Sequence, residues 1–472
     1  MLTQPRVDVD YAIGVRSLER EVDPVALAVE GELPPWLTGT LVRTGPARFE
    51  VGERSLAHWF DGLAMLHRFA FGGGEVTYSN RFLRSRAFRH AETSGDIGYP
   101  EFATDPCRSL FGRAQAAFSP KLSDNGSVNV VRLGDETLAL TETPLPVAFD
   151  RRTLDTAGVT GWAEDIPGHL TIAHPHHDRQ TGELLSYATQ LGPRSRYRLY
   201  AVRPGGAVRV LADVPVDRPA YMHSFALTDR YAVLAEWPFT VNPLRLALSG
   251  RPFIENYRWE PERGTRYTVI DRRDGRVRAR VQGPATFAFH HVNACERGGE
   301  LLLDASTYDD PSVIDLLYLD RIRSGAGLPP ATLRRHRVPL GGGDATVEQL
   351  AEPSFELGRI DYARRNGRAY RYAWGASNRD GWWLDALVKL DVTGGEAPRW
   401  WSERRCYPGE PVFVSDGQPE SGVLLSIVLD SERETSFLLV LDAGTLGELA
   451  RAEVPHAIPF HFHGDYIREA QR

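Results

Sequence analysis

The sequence predicts an all-β protein, and three observations carry that expectation. Apolar stretches are short, rich in Val, Leu, Tyr, Phe and Thr, and cut by Gly, Pro and Asp instead of being spaced at helical intervals. A strand, a tight turn of Asp, Pro or Gly, and a second strand recur at AFDRRTLDTAGVT from Ala148, LYAVRPGGAVRVLADV from Leu199, YTVIDRRDGRVRARV from Tyr267, LVKLDVTGGEAPRWW from Leu387 and LLVLDAGTLGELARAEV from Leu438. These hairpins run from end to end without a low-complexity linker, which is the pattern of a radially repeating sheet, a β-propeller that hides its strand edges by closure. Two tandem sandwiches are the competing architecture, and the repeat is too degenerate to number the blades. The expectation is one domain over residues 1–472.

Composition narrows the function classes. With 42% hydrophobic, 10% aromatic and 25% charged residues in 472, the chain can bury a large core. A net charge of −7 lacks the basic excess that phosphate-backbone binding needs, so nucleic acid is not an expected partner. Cys107, Cys295 and Cys406 are too few and too far apart for a disulfide framework or a zinc motif. The N-terminus has no signal-like apolar run, and no stretch is long enough to span a bilayer, so the expected location is cytoplasmic, at most peripheral to a membrane. The glycine runs at 72–74 and 341–343 lack the Lys-Ser/Thr of a P-loop and read as turns.

Fourteen histidines are the informative feature. His174 in TIAHPHHD, His223 in YMHSFALT, His290 and His291 in FAFHHVNACE, and His461 and His463 in PFHFHGDY sit in strand-like contexts. From His174 to His223, His223 to His290 and His290 to His463 the separations are 49, 67 and 173 residues, far more than the three to five that a zinc finger uses, so any shared site must be assembled by the fold. The inner strands of a propeller converge on one axis and offer such a place. Neutral imidazoles suit iron, copper, nickel and zinc, and an all-nitrogen site with open positions is compatible with Fe(II) oxygen chemistry. Spacing alone leaves the function open.

The phrases around those histidines decide more. GTLVRTGPARF from Gly39, HWFDGLAMLHRFAF from His58, SNRFLRS from Ser79, AHPHHD from Ala173, MHSFALTDRYAV from Met222, FHHVNACE from Phe289, GEPVFVSD from Gly409 and FHG from Phe462 occur in this order. Together they resemble the carotenoid cleavage oxygenases, from about Gly31 to Tyr466. The resemblance implies a seven-bladed β-propeller whose loops and short helices cap an iron site. It implies Fe(2+) on His174, His223, His290 and His463, with Glu142 in ALTETPLP, Glu356 in FELGRIDY and Glu410 in PGEPVFV behind them. His291 falls on the opposite strand face from His290. His461 would share a face with His463, while His58, His67, His176 and His177 are read as packing or hydrogen-bonding neighbours.

Such a site implies a dioxygenase that cleaves a carbon-carbon double bond of a carotenoid or apocarotenoid with O2 to give carbonyl products. Stilbenoid or phenylpropenoid cleavage and retinoid isomerohydrolase activity are the alternatives. KLSDNGSVNVVRLGD from Lys121 and FHHVNACE look closest to the β-carotene oxygenase and retinoid isomerase branch, and the Lys with which stilbene cleavers hold a phenol is not evident. Two departures stand out. Val128 falls where many microbial members carry Thr, and Gly358 where the family commonly has Pro or Gln. An apolar polyene partner asks for a lipid-touching mouth, and the segment 237–260 mixes Phe239, Leu244, Leu246, Leu248, Phe253 and Ile254 with Arg245 and Arg251, as a peripheral membrane contact would. Oligomeric state is not legible.

Overall fold

The five hairpins expected from turn chemistry all form, because each pairs apolar, β-branched or aromatic runs across a turn that Gly, Asp or Pro can make. Arg196–Val202 pairs with Val208–Pro215, Thr265–Asp271 with Val277–Gly283, and Thr435–Asp442 with Glu448–Val454. Val147–Phe149 pairs with Thr156–Val159, and Ala386–Asp391 with Arg399–Trp401. The computed structural model describes residues 9–106, 121–379 and 382–468, so Cys107 lies outside the described residues.

Among the described residues the antiparallel sheets form the seven blades of a β-propeller. The innermost strands, in order around the axis, are Asn129–Leu133, His176–His177, Ala226–Leu227, Phe287–Arg297, Glu356–Arg359, Val412–Ser415 and Gly464–Arg468. The ring is closed by the chain termini. In the seventh blade the C-terminal strand Gly464–Arg468 pairs with Gly39–Arg48 near the N-terminus, and in the sixth Val29–Gly31 pairs with Glu448–Val454. Both closures exchange edge strands for paired ones.

Each blade face packs on the next, so the interior is divided into wedges. Leu138 and Phe149 of the first blade meet Val42 and Leu66 of the seventh. Leu199 and Tyr187 of the second meet Phe225 and Leu234 of the third. Trp374 and Leu387 of the fifth meet Leu424 and Leu439 of the sixth. Over one end of the axis lies a cap of loops and short helices, including Arg86–Ser94, Pro243–Ser249, Ser312–Leu316 and Leu319–Arg323. Local signals fix these helices. Ser85 caps the first by accepting from Phe88 N, and Asn242 caps the second ahead of Pro243 at its first position. The helix ends at Gly250, whose φ of 61° is the left-handed conformation that a Cβ disfavours.

Trp374 shows what one wedge contributes. Its ring is fully buried, stacks on Phe413 at 4.6 Å and donates from Nε1 to the Ala443 carbonyl at 2.8 Å, tying two blades together. Trp374→Ala should therefore cost about 3–5 kcal/mol. Urea unfolding followed by near-UV circular dichroism would show it as a lowered midpoint, and an unchanged midpoint would mean that neighbouring wedges repack without loss.

Candidate metal centre

The inner strands do not run regularly past the axis; they break near the cap. Between Thr171 and His176 the second blade's inner strand leaves its ladder, and His174 sits in the gap. The fourth blade's inner strand is bulged between Ala288 and His291, around His290. The fifth is bulged after Glu356, with Leu357 at φ 52°. In the sixth, the chain detaches between Pro408 and Val412, around Glu410. His223 and His463 stand just before the inner strands Ala226–Leu227 and Gly464–Arg468. A bulge leaves one residue unpaired and re-aims its side chain. Repeated around a ring, this turns one side chain per blade inward at the same level.

The result is a cluster. One ring nitrogen from each of His174, His223, His290 and His463 lies within 4.8 Å of the other three. Nε2 of His174 and His223 are 3.0 Å apart, and Nε2 of His290 and His463 are 3.1 Å apart. The other ring nitrogens reach carboxylates at 2.6 Å in three cases: His223 Nδ1 to Glu142, His290 Nδ1 to Glu356 and His463 Nδ1 to Glu410. A carboxylate accepts, so each Nδ1 carries the proton and each Nε2 presents a bare lone pair.

Those lone pairs test whether a cation fits. Burial pushes the His463 imidazole down to about 4 despite the Glu410 carboxylate, so at neutral pH it carries no second proton. Burial and the neighbouring His463, His223 and His290 likewise hold His174 well below its usual range. Two lone pairs facing each other at 3.1 Å repel, and a metal ion between them converts that repulsion into coordination. The donor set fits a divalent ion with nitrogen preference.

Glu410 carries a second task. Arg359 Nε donates to it at 2.8 Å, Gly464 N at 3.2 Å, and the wholly buried Arg43 lies at 3.4 Å. Burial would raise this carboxyl, but Arg359, His463 and Arg43 outweigh it and hold Glu410 far below the usual range. The Arg43 guanidinium, lowered by burial to about 10, stays charged and also donates to the Phe462 carbonyl beside His463. Glu356 resembles Glu410 in direction: burial raises it, while His290, the Leu357 amide and the Tyr308 hydroxyl lower it on balance. Tyr308 donates to Glu356 at 3.1 Å, and Tyr221 donates to Glu142 at 2.9 Å.

Arg43, Arg359, Tyr221 and Tyr308 were not singled out by the sequence. Arg43 had a signal, a lone charge in an otherwise apolar run, and the whole stretch Gly39–Ala47 is buried. Tyr221 stands two residues before His223. Tyr308 had none, because it is brought in by the strand paired to His290's own. The departure at Gly358 has a steric reason: a Cβ there would lie 2.6 Å from Phe355 and 2.9 Å from Val292. His461 turns the other way, its ring 5.9 Å from His67, and Gly45 leaves it room. His291 accepts nothing from the cluster. It bonds Ser224 Oγ at 2.8 Å and stacks on Trp237. His58 bonds the Ile314 carbonyl, His67 bonds Tyr78, and His176 bonds Tyr362 and the Phe225 carbonyl.

Two cavities meet at the His223 side of the cluster, where Phe60, Val128 and His223 line both. One arm is walled by aromatic and aliphatic side chains, among them Trp59, Phe289, Phe355, Phe462 and Leu384. The other carries Glu101, Ser123, Thr141, Glu142 and Thr143 on its wall and ends at the helix Pro243–Ser249 and Phe253. That rim corrects the expectation for 237–260. Phe239 and Ile254 are 8% and 4% exposed, because Phe239 packs on Tyr257 and Phe287, so neither faces outward. Leu244 and Leu248 do, at 68% and 74% exposure.

The chain is similar to known proteins along nearly its whole length. Residues 15–468 match the retinal pigment epithelial membrane protein family. The carotenoid-cleaving dioxygenase, mitochondrial, of Pongo abelii is 31% identical, covering 94% of this chain and 92% of that protein. The carotenoid isomerooxygenase of Galleria mellonella is 32% identical over 97% and 96%, and the human β,β-carotene 15,15′-dioxygenase 30% identical over 96% and 94%. A cobalt-substituted Synechocystis apocarotenoid oxygenase superposes with a TM-score of 0.87 at 26% identity, covering 98% of each chain. No helix among the described residues is long and apolar enough to cross a membrane. With a propeller, a four-histidine cluster backed by three carboxylates, and relatives matched along almost its whole length, this chain belongs to the retinal pigment epithelial membrane protein family of carotenoid oxygenases.

Proposed function

We propose that the chain is a dioxygenase that holds iron(II) on His174, His223, His290 and His463 and cleaves a carbon-carbon double bond of a carotenoid or apocarotenoid with O2. The observation that carries this reading is the set of Nε2 lone pairs aimed at one point, at the junction of two cavity arms, in a member of this family. Iron(II) there supplies electrons for dioxygen activation, and both oxygen atoms end in the two carbonyl products of the broken double bond. The chain's own part is to hold, balance and exclude. Glu142 and Glu356 face no cation among the described residues, so their two charges balance the dication, while Glu410 is shared with Arg43 and Arg359. Phe60, Phe289 and Phe462 crowd the histidines and keep bulk water from the centre. Val128 presents methyl groups where a hydroxyl would hold water. The apolar arm accepts a polyene end, each buried CH₂ contributing about 0.8 kcal/mol. Leu244 and Leu248, beside Arg245 and Arg251, form a rim that dips into a lipid surface so that substrate passes from bilayer to cavity.

Replacing any of His174, His223, His290 or His463 by Ala should remove stoichiometric iron and polyene cleavage, whereas His461→Ala should keep both. Iron by plasma emission spectrometry and products by mass after admitting oxygen would check this; full metal occupancy in His463→Ala would remove that residue from the ligand set. Between the carboxylates the effects should differ. Glu142→Gln should lower metal affinity or activity about 10- to 100-fold with little change in folding stability. Glu410→Gln should add a folding cost of about 3–5 kcal/mol, because it leaves Arg43 buried without its anion. Identical urea midpoints for the two variants would contradict that division. At the rim, Leu244→Asp with Leu248→Asp should reduce turnover of vesicle-borne polyene several-fold more than turnover of detergent-solubilised polyene, and equal losses in the two assays would make the helix merely structural.

A further inference from the structure

The polar arm contains a carboxyl group that the metal centre does not use. Glu101 lies on its wall beside Ser123, whose hydroxyl donates to Glu101 Oε1 at 2.6 Å. Its loop is fixed on both sides. Asp61 accepts from Ala103 N at 3.0 Å and from Thr104 Oγ1 at 2.5 Å, the Phe102 carbonyl accepts from Ile254 N at 3.1 Å, and Glu101 N donates to the Thr104 carbonyl at 2.8 Å. The carboxyl is thus held, by a hydrogen-bonded loop, on the wall of the arm that also reaches His223 and the helix Pro243–Ser249.

Its neighbours in charge are different in kind. Asp124 is engaged by Arg86 and by two helix N-terminal amides, and Asp61 by three amide or hydroxyl donors. Glu101 forms no ion pair among the described residues. Burial pushes it well above the usual carboxylate range, and Asp61 and Asp124 push the same way against the hydrogen bonds of Ser123 and Asn125. A carboxyl on a cavity wall accepts from an alcohol and, in the neutral form that burial favours, donates to an aldehyde oxygen. A hydrocarbon polyene passing it would leave that capacity unmet, and an oxygen atom would meet it. The opposite arm offers mainly aromatic and aliphatic wall.

We propose that Glu101 is a specificity-determining residue that hydrogen-bonds the terminal oxygen of the substrate. The preferred substrate is then a polyene with one oxygenated end, an aldehyde or alcohol, lying in the polar arm while its apolar end fills the other. This rests on the polyene reading above and names the substrate class for the same cavity.

The test uses the full chain and three polyenes of equal length: a hydrocarbon, its terminal aldehyde and its terminal alcohol. Binding is read by quenching of tryptophan fluorescence and turnover by product mass. The wild type should bind both oxygenated probes about tenfold more tightly than the hydrocarbon. Glu101→Leu should raise Kd and KM for those two about tenfold, leave the hydrocarbon within about twofold, and change kcat little, while Glu101→Gln, which keeps a donor and an acceptor, should stay near wild type. A wild type without preference overturns the inference whether or not the variant folds, and so does Glu101→Leu with equal losses on all three probes. If the polyenes bind with this contrast but none is cleaved, the oxygenase reading falls and the role of Glu101 stands.

Discussion

Four imidazoles converge on one spot, three of them with Nε2 held bare, and most of this architecture keeps them there. An isolated histidine would rotate, take the other tautomer or protonate. Here the hydrogen bonds from Nδ1 of His223, His290 and His463 to Glu142, Glu356 and Glu410 forbid the first two, and burial forbids the third for His463. The carboxylates then need holding in turn, which brings in Tyr221, Tyr308, Arg43 and Arg359. A convergent site of this kind can hold a metal ion because three of its four rings are fixed from behind.

The irregularity is distributed. His174, His290, Glu356 and Glu410 each occupy a place where an inner strand bulges or breaks, losing ladder hydrogen bonds near the axis. A single sheet with four such defects would lose its register. In a propeller each defect falls on a different blade, anchored by its own regular outer strands and by the apolar wedge it shares with the next. Radial repetition therefore allows irregularity at the centre at small cost to any one blade, and the inward-turned residues lie at the same level because they occur at the same stage of each inner strand.

What the sequence made legible follows the same division. The hairpins were readable because their turns demand particular residues locally, as at Asp271 to Gly275 or Asp442 to Gly447. The histidines and glutamates were found through their flanking phrases, since spacing cannot reveal what a ring of blades brings together. Arg43, Arg359 and Tyr308 were missed because their roles depend on a neighbour's charge or on strand pairing, and no local pattern records either. The 237–260 segment was read by composition, which averages over positions. The fold sends Phe239 and Ile254 inward and Leu244 and Leu248 outward within one short stretch. Gly358 looked like a departure, and the space its missing Cβ leaves is taken by the Phe355 and Val292 side chains.

The two cavity arms extend this logic beyond the histidines. Around the histidines the wall is aromatic, and polar groups that touch the centre are already committed: Glu142 to His223 and Tyr221, Glu356 to His290, Tyr308 and the Leu357 amide. On the proposed function, a polyene offers no polar atom along its conjugated length, so nothing near the histidines can read which bond lies there. Position along the chain must be set at the ends, by how far one end penetrates the apolar arm and by what the other end meets in the polar one. Selectivity for one double bond would then be a property of the cavity's length and of its distant walls, carried by residues remote from the histidines.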